Sequence, residues 1–104
     1  MHMKSEQKQV DDWIKKLKIG YFTPMEMLAC LTEETGEVAR EICHLFGAKK
    51  KKSTESTAEL GDELADIIFS VVCMANALDI NLDKHFKKAM DKCYGRDKDR
   101  WTKS

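Results

Sequence analysis

The chain has 104 residues, with 18 Lys+Arg against 18 Asp+Glu, 42% hydrophobic residues and no formal net charge. That length supports one domain over 1–104, and the composition excludes a disordered tail. Neutrality argues against a nucleic-acid polymer as partner, and the longest uncharged run, Ile67–Leu78, is far short of the ~20 apolar residues that cross a bilayer.

Met1-His2-Met3 reads as a cloning remnant, and the sequence opens without a signal peptide. The first helix is predicted over about 6–18, with Ser5 as N-cap, an apolar face of Val10, Trp13, Ile14 and Leu17, and Gly20 just past its end. Thr23-Pro24-Met25-Glu26 is a compound start signal: Thr as N-cap, Pro at the first helical position, and Glu closing a capping box. The second helix should run to about Phe46 and end at Gly47. Ala48–Thr54, with four adjacent lysines at 49–52, reads as a solvated loop, with attraction of phosphate as the alternative. Ser56-x-x-Glu59 opens a third helix that reaches about Leu78, and Asn81 caps a fourth that stops near Gly95. The segment Arg96–Ser104 carries no clear assignment. No strand pattern or repeat intervenes, so the class is all-α, a four-helix bundle. Cys30, Cys43, Cys73 and Cys93 are spaced too widely for a Cys-x-x-Cys motif and read as free thiols of a cytoplasmic protein.

The neutral total hides segregation. Residues 33–66 hold nine acidic and five basic side chains, whereas 81–104 hold eight basic and four acidic. The second helix carries Glu33, Glu34, Glu37 and Glu41, and the third carries Glu59, Asp62, Glu63 and Asp66. Spacings of three and four stack each set on one side of its helix, where like charges repel. The acidic face of the third helix runs into Phe69, Ser70, Cys73 and Ala77, and from Ile67 onward the helix is apolar all round, which predicts that something covers it. Carboxylates at such a boundary call for a cation. An all-oxygen donor set selects a hard one, Mg²⁺ or Mn²⁺. Glu41-x-x-His44 matches half of a di-iron motif, but no second Glu-x-x-His exists, which disfavours a metal oxidase. Lys88, Lys92 and Arg96 form a basic stripe suited to a polyphosphate, with a solvated face as the alternative. Trp13, Tyr21 and Phe22 read as core aromatics or as contacts for a base.

At Glu33-Glu34-Thr35-Gly36-Glu37 and Glu63-Leu64-Ala65-Asp66 the sequence resembles the MazG-like all-α nucleoside triphosphate pyrophosphohydrolases, whose signature is Glu-x-x-Glu on one helix and Glu-x-x-Asp on the next. Gly-Tyr-Phe-Thr-Pro (20–24), Met-Ala-Asn-Ala-Leu-Asp-Ile (74–80) and Arg-Asp-Lys-Asp-Arg-Trp (96–101) look like the short stand-alone YpjD-type members. Glu59-Leu60-Gly61-Asp62 is nearer the usual literal string. However, the apolar run and Ala75-Asn76 follow Asp66 at the family's spacing. The resemblance therefore implies Glu34, Glu37, Glu63 and Asp66 as principal Mg²⁺ ligands, with Glu59 and Asp62 as outer or second-metal candidates. It further implies attack by water between the α and β phosphates, with Glu33 or a neighbouring carboxylate as base, Lys92 and Arg96 on the phosphates, and Asn76 as a weaker candidate for substrate contact. It implies a homo-oligomer, a dimer or dimer of dimers, whose second chain completes the bundle; Trp101 in the tail would then close over a neighbouring subunit. The competing expectation is a non-catalytic helical assembly module that keeps the metal site.

Overall fold

The computed structural model describes residues 3–47 and 57–95. They form four helices, α1 (Met3–Lys15), α2 (Pro24–Phe46), α3 (Thr57–Ala77) and α4 (Leu82–Tyr94), and no strand occurs among the described residues. The Lys49–Lys52 loop, the Ser56 cap, Arg96 and Trp101 lie outside the described residues.

The start of α2 forms as its sequence dictates. The Thr23 hydroxyl accepts from the Glu26 N–H at 3.2 Å, and the Glu26 carboxylate accepts from the Thr23 N–H at 2.9 Å. Two backbone donors at the helix start are thereby satisfied. Asn81 caps α4 through the Lys84 N–H at 3.2 Å, and Gly95 ends it. Between α3 and α4 the chain turns through Asp79 in the left-handed region (φ 56°), with the Ile80 N–H returned to the Ala75 carbonyl at 2.7 Å. That six-to-one bond is the Schellman closure usually given to glycine.

The first helix departs from expectation. It begins at Met3 and ends at Lys15, so Ser5 lies inside it and caps nothing. The cap comes from another helix: the backbone N–H groups of Met3 and Lys4 both donate to the Asp83 carboxylate on α4. A negative charge at a helix N-terminus is stabilising, and this one arrives across nearly the whole sequence. Met3 itself is buried. Gly20, with φ +67°, then supplies the left-handed bend that leads into α2.

Helix α2 packs along α3, α1 packs on α3, and α4 rests against α1. The first two run antiparallel, since Cys30 and Cys73 border one cavity while Glu34 meets Glu63 and Asp66 further along. Helix α3 is therefore the central element. Its Val72, Cys73 and Ala75 are buried, together with Ile14 and Met27 from its neighbours. All four cysteines are free thiols; Cys73 is buried, Cys30 half-buried, and Cys43 and Cys93 exposed.

Within one chain α3 is not covered on all sides. Ile68 is 49% exposed, Phe69 44% and Leu64 47%. The radius of gyration is 17.1 Å, against about 13 Å for a compact domain of ~100 residues. Among the described residues the helices form an open layer whose apolar side is left uncovered.

Candidate active site

Antiparallel packing of α2 on α3 brings the two acidic stripes face to face. Glu34 and Glu63, both half-buried, and the exposed Asp66 converge so that one carboxylate oxygen from each lies within 4.8 Å of the others. Three of the four residues expected as principal metal ligands are thus assembled. The fourth, Glu37, lies outside this trio and holds Arg40 one turn along α2 at 2.8 Å. It remains close enough to be the foremost like charge acting on Glu63.

The cluster is electrostatically uncomfortable. Desolvation lifts the Glu34 carboxyl above its usual range, and Asp66, Glu33 and Glu37 add repulsion, while a hydrogen bond with Glu63 acts in the opposite direction. Desolvation also raises Glu63, followed by repulsion from Glu37, Asp66, Glu34 and Glu41. Both causes disfavour the ionised form. A divalent cation would reverse them, and three hard oxygen donors with no thiolate among them fit Mg²⁺ or Mn²⁺.

The remaining expected residues are placed as follows. Glu33 is exposed on α2 beside Glu34. Glu59 and Asp62 are exposed near the start of α3. Lys92 is exposed near the end of α4. The Asn76 side chain is half-buried and hydrogen-bonded within the protein: its Nδ2 donates to the Gln7 carbonyl at 2.8 Å and the Tyr21 hydroxyl at 3.0 Å. Its Oδ1 accepts from Gln7 Nε2 at 2.9 Å.

Two features escape sequence reasoning. Glu41 continues the α2 stripe and is buried, 7% exposed, with its Oε1 3.9 Å from Nδ1 of His44. The spacing signals that stripe, but not the burial. The second feature is an apolar cavity of about 220 Å³ at the end of the α2–α3 seam, walled by Trp13, Tyr21, Phe22, Met27 and Phe69. Cys30 and Ser70 line it too, one turn before Glu34 and one turn after Asp66, so the cavity lies about one helical turn from the carboxylates.

A four-helix layer with paired acidic stripes, one Glu-x-x-Glu and one Glu-x-x-Asp, defines a class. Residues 22–101 match the MazG nucleotide pyrophosphohydrolase domain, and the chain belongs to that family. Its chemistry is accordingly hydrolysis of a nucleotide pyrophosphate bond. Among particular relatives, the uncharacterized protein YpjD of Bacillus subtilis (strain 168) is 48% identical over 101 residues, covering 97% of this chain and 91% of that one. The crystal structure of YpjD from Bacillus subtilis superposes with a TM-score of 0.82 at 46% identity, over 88% of this chain and 94% of that one. The Bacillus-conserved MazG protein, a nucleotide pyrophosphohydrolase, superposes with a TM-score of 0.76 at 41% identity, over 88% of each chain. Among the described residues no helix is long and apolar enough to cross a membrane.

Proposed function

We propose that the chain, acting as one domain over 1–104, hydrolyses nucleoside triphosphates between the α and β phosphates. The products are a nucleoside monophosphate and pyrophosphate, and the reaction serves to clear unwanted nucleotides from the cytoplasmic pool. The observation that carries this reading is the convergence of Glu34, Glu63 and Asp66, with two of the three carboxyls resisting ionisation. These three residues would hold Mg²⁺, with Mn²⁺ as a substitute, and Glu37 would join them by releasing Arg40. When bound, the cation supplies Lewis acidity toward the phosphate oxygens and cancels the carboxylate repulsion.

The protein's own groups do the rest. Glu33, exposed beside Glu34, would take a proton from the attacking water. Glu59 and Asp62 stand further along α3 as supports or as part of a second cation site. Lys92 and Arg96 contribute positive charge to the polyphosphate. The base lies in the apolar cavity against Trp13 and Phe22, since aromatic walls about one helical turn from the carboxylates suit a molecule that is anionic at one end and aromatic at the other.

Assembly completes the site. Exposed Leu64, Ile68 and Phe69 form a continuous apolar strip on α3, of a kind that soluble monomers seldom leave uncovered. A second copy would cover it, giving a dimer or dimer of dimers. Incubating the protein with a panel of common and damaged nucleoside triphosphates plus Mg²⁺ tests the reaction. Pyrophosphate in equal amount to the monophosphate is the expected outcome. Orthophosphate as the product would place cleavage elsewhere, and no product from any nucleotide would refute the enzyme.

A further inference from the structure

The cavity beside the carboxylates has one wall that is not helical. It consists of Ile19, Gly20, Tyr21 and Phe22, all of which line it. Its two ends are fixed locally: the last turn of α1 closes through Lys16 N–H to Trp13 O and Leu17 N–H to Ile14 O, and Thr23 begins the α2 capping box. The middle is held by a side chain. The Tyr21 hydroxyl donates to Asp11 Oδ1 on α1 at 2.8 Å and accepts from Asn76 Nδ2 on α3 at 3.0 Å.

That hydroxyl is one link in a longer chain of bonds. Asp11 is also paired with Lys15 at 2.8 Å. On the other side, Asn76 spends both amide hydrogens, on Tyr21 and on the Gln7 carbonyl, and takes one back from Gln7 Nε2. Gln7 in turn donates to the Ile80 carbonyl at 2.9 Å and accepts the Leu82 N–H at 3.0 Å. The polar groups that could have faced the cavity are therefore turned into the protein, and the cavity keeps an apolar lining. Burial and the neighbouring Asp11 push the Tyr21 phenol up to about 12, so it stays a donor throughout the working pH range.

We propose that Asp11, Tyr21 and Asn76 form a positioning relay that sets the wall of the base-binding cavity, so that they govern affinity for the base of the nucleotide without touching the polyphosphate. This rests on the reading that the cavity takes the base. It makes Asn76 a positioning residue in place of the substrate contact that resemblance implied. The relay joins three pieces, α1, the 19–22 wall and α3, whose relative placement fixes the distance between Trp13, Phe22 and Phe69. A flat heteroaromatic ring inserted there gains only if that spacing is already set, because ordering the wall on binding would subtract from affinity.

The test separates the two ends of the ligand. Inorganic tripolyphosphate presents the phosphates without a base, while the four α,β-imido nucleoside triphosphates present both and resist cleavage. Calorimetric titration of the full chain with each, in Mg²⁺, should show wild type preferring at least one nucleotide over tripolyphosphate. Y21F keeps the aromatic wall and removes the hydroxyl. It should weaken that nucleotide about fivefold or more while leaving tripolyphosphate within about twofold. D11A, which strips the same hydroxyl of its acceptor from α1, should do likewise, and it carries the test if Y21F does not fold. Equal weakening of both ligands would mean a merely structural role, and weakening of neither would mean no role; each overturns the relay. A wild type that binds tripolyphosphate as well as every nucleotide would overturn the placement of the base itself, and the relay with it.

Discussion

Half-buried polar groups occupy two regions of this molecule to opposite effect. At the corner where α1, α3 and α4 meet, Gln7, Tyr21, Asn76 and Asp83 satisfy one another and the backbone, bond for bond. Midway along the α2–α3 seam, Glu34 and Glu63 lose solvent and gain only like-charged neighbours. A network of complementary donors and acceptors holds a structure in place. A half-buried cluster of carboxylates is instead suited to a cation. The contrast is why we propose chemistry at the seam and architecture at the corner.

Four expectations break or sharpen that contrast. The largest concerns Glu63. E63Q should cut turnover by on the order of 100-fold, since even indirect partners of a metal commonly cost that much when lost. The same change should raise the melting temperature of metal-free protein by removing repulsion. A variant that lost activity and metal-free stability together would show Glu63 to be a structural group like those of the corner. Next is assembly: I68D places a charge in the exposed apolar strip of α3 and should shift the mass seen by light scattering to that of one 12.0 kDa chain. A wild type that is already a monomer at all concentrations would contradict the cover proposed for α3.

The third expectation is the pH response of the metal-free protein. Glu34 and Glu63 have folded-state values above their unfolded ones. Their contribution to stability is therefore present below the ordinary carboxylate range, about pH 4, and is lost as pH rises through the raised values. Thermal melts in chelator should reveal this loss between mildly acidic and neutral pH, and saturating Mg²⁺ should abolish it. The smallest effect tests the architectural side. T23A removes the α2 cap and should cost about 1 kcal/mol in stability, with the products of hydrolysis unchanged.

What the sequence disclosed follows from the range of the interactions involved. Thr23-Pro24-x-Glu26 and Asn81 act within one turn, so the starts of α2 and α4 could be read directly. The acidic stripes were equally legible, because spacing of three and four fixes a face regardless of tertiary context. The start of α1 was not, because its cap is Asp83, some eighty positions distant, and no local pattern announces such a partner. Glu37 and Glu34 look equivalent in the sequence; the neighbouring Arg40 and the geometry of α3 separate them. Resemblance implies Asn76 as a ligand contact, and the spacing does not show that its side chain bonds to Gln7 and Tyr21, which lie 69 and 55 positions away. The apolar all-round end of α3 predicts a cover from outside a single chain, and Leu64, Ile68 and Phe69 are exposed in one chain.

Direct titration of a divalent cation tests the central claim without reliance on substrate or turnover. Mn²⁺ binding to the chelator-stripped protein can be followed by the loss of the free ion's paramagnetic resonance signal, for wild type, E34Q and E63Q. The account predicts saturable binding to wild type, weakened at least about tenfold in either variant. Saturable binding that survives both substitutions unchanged would place the cation elsewhere, and no binding to wild type would contradict a metal site between α2 and α3.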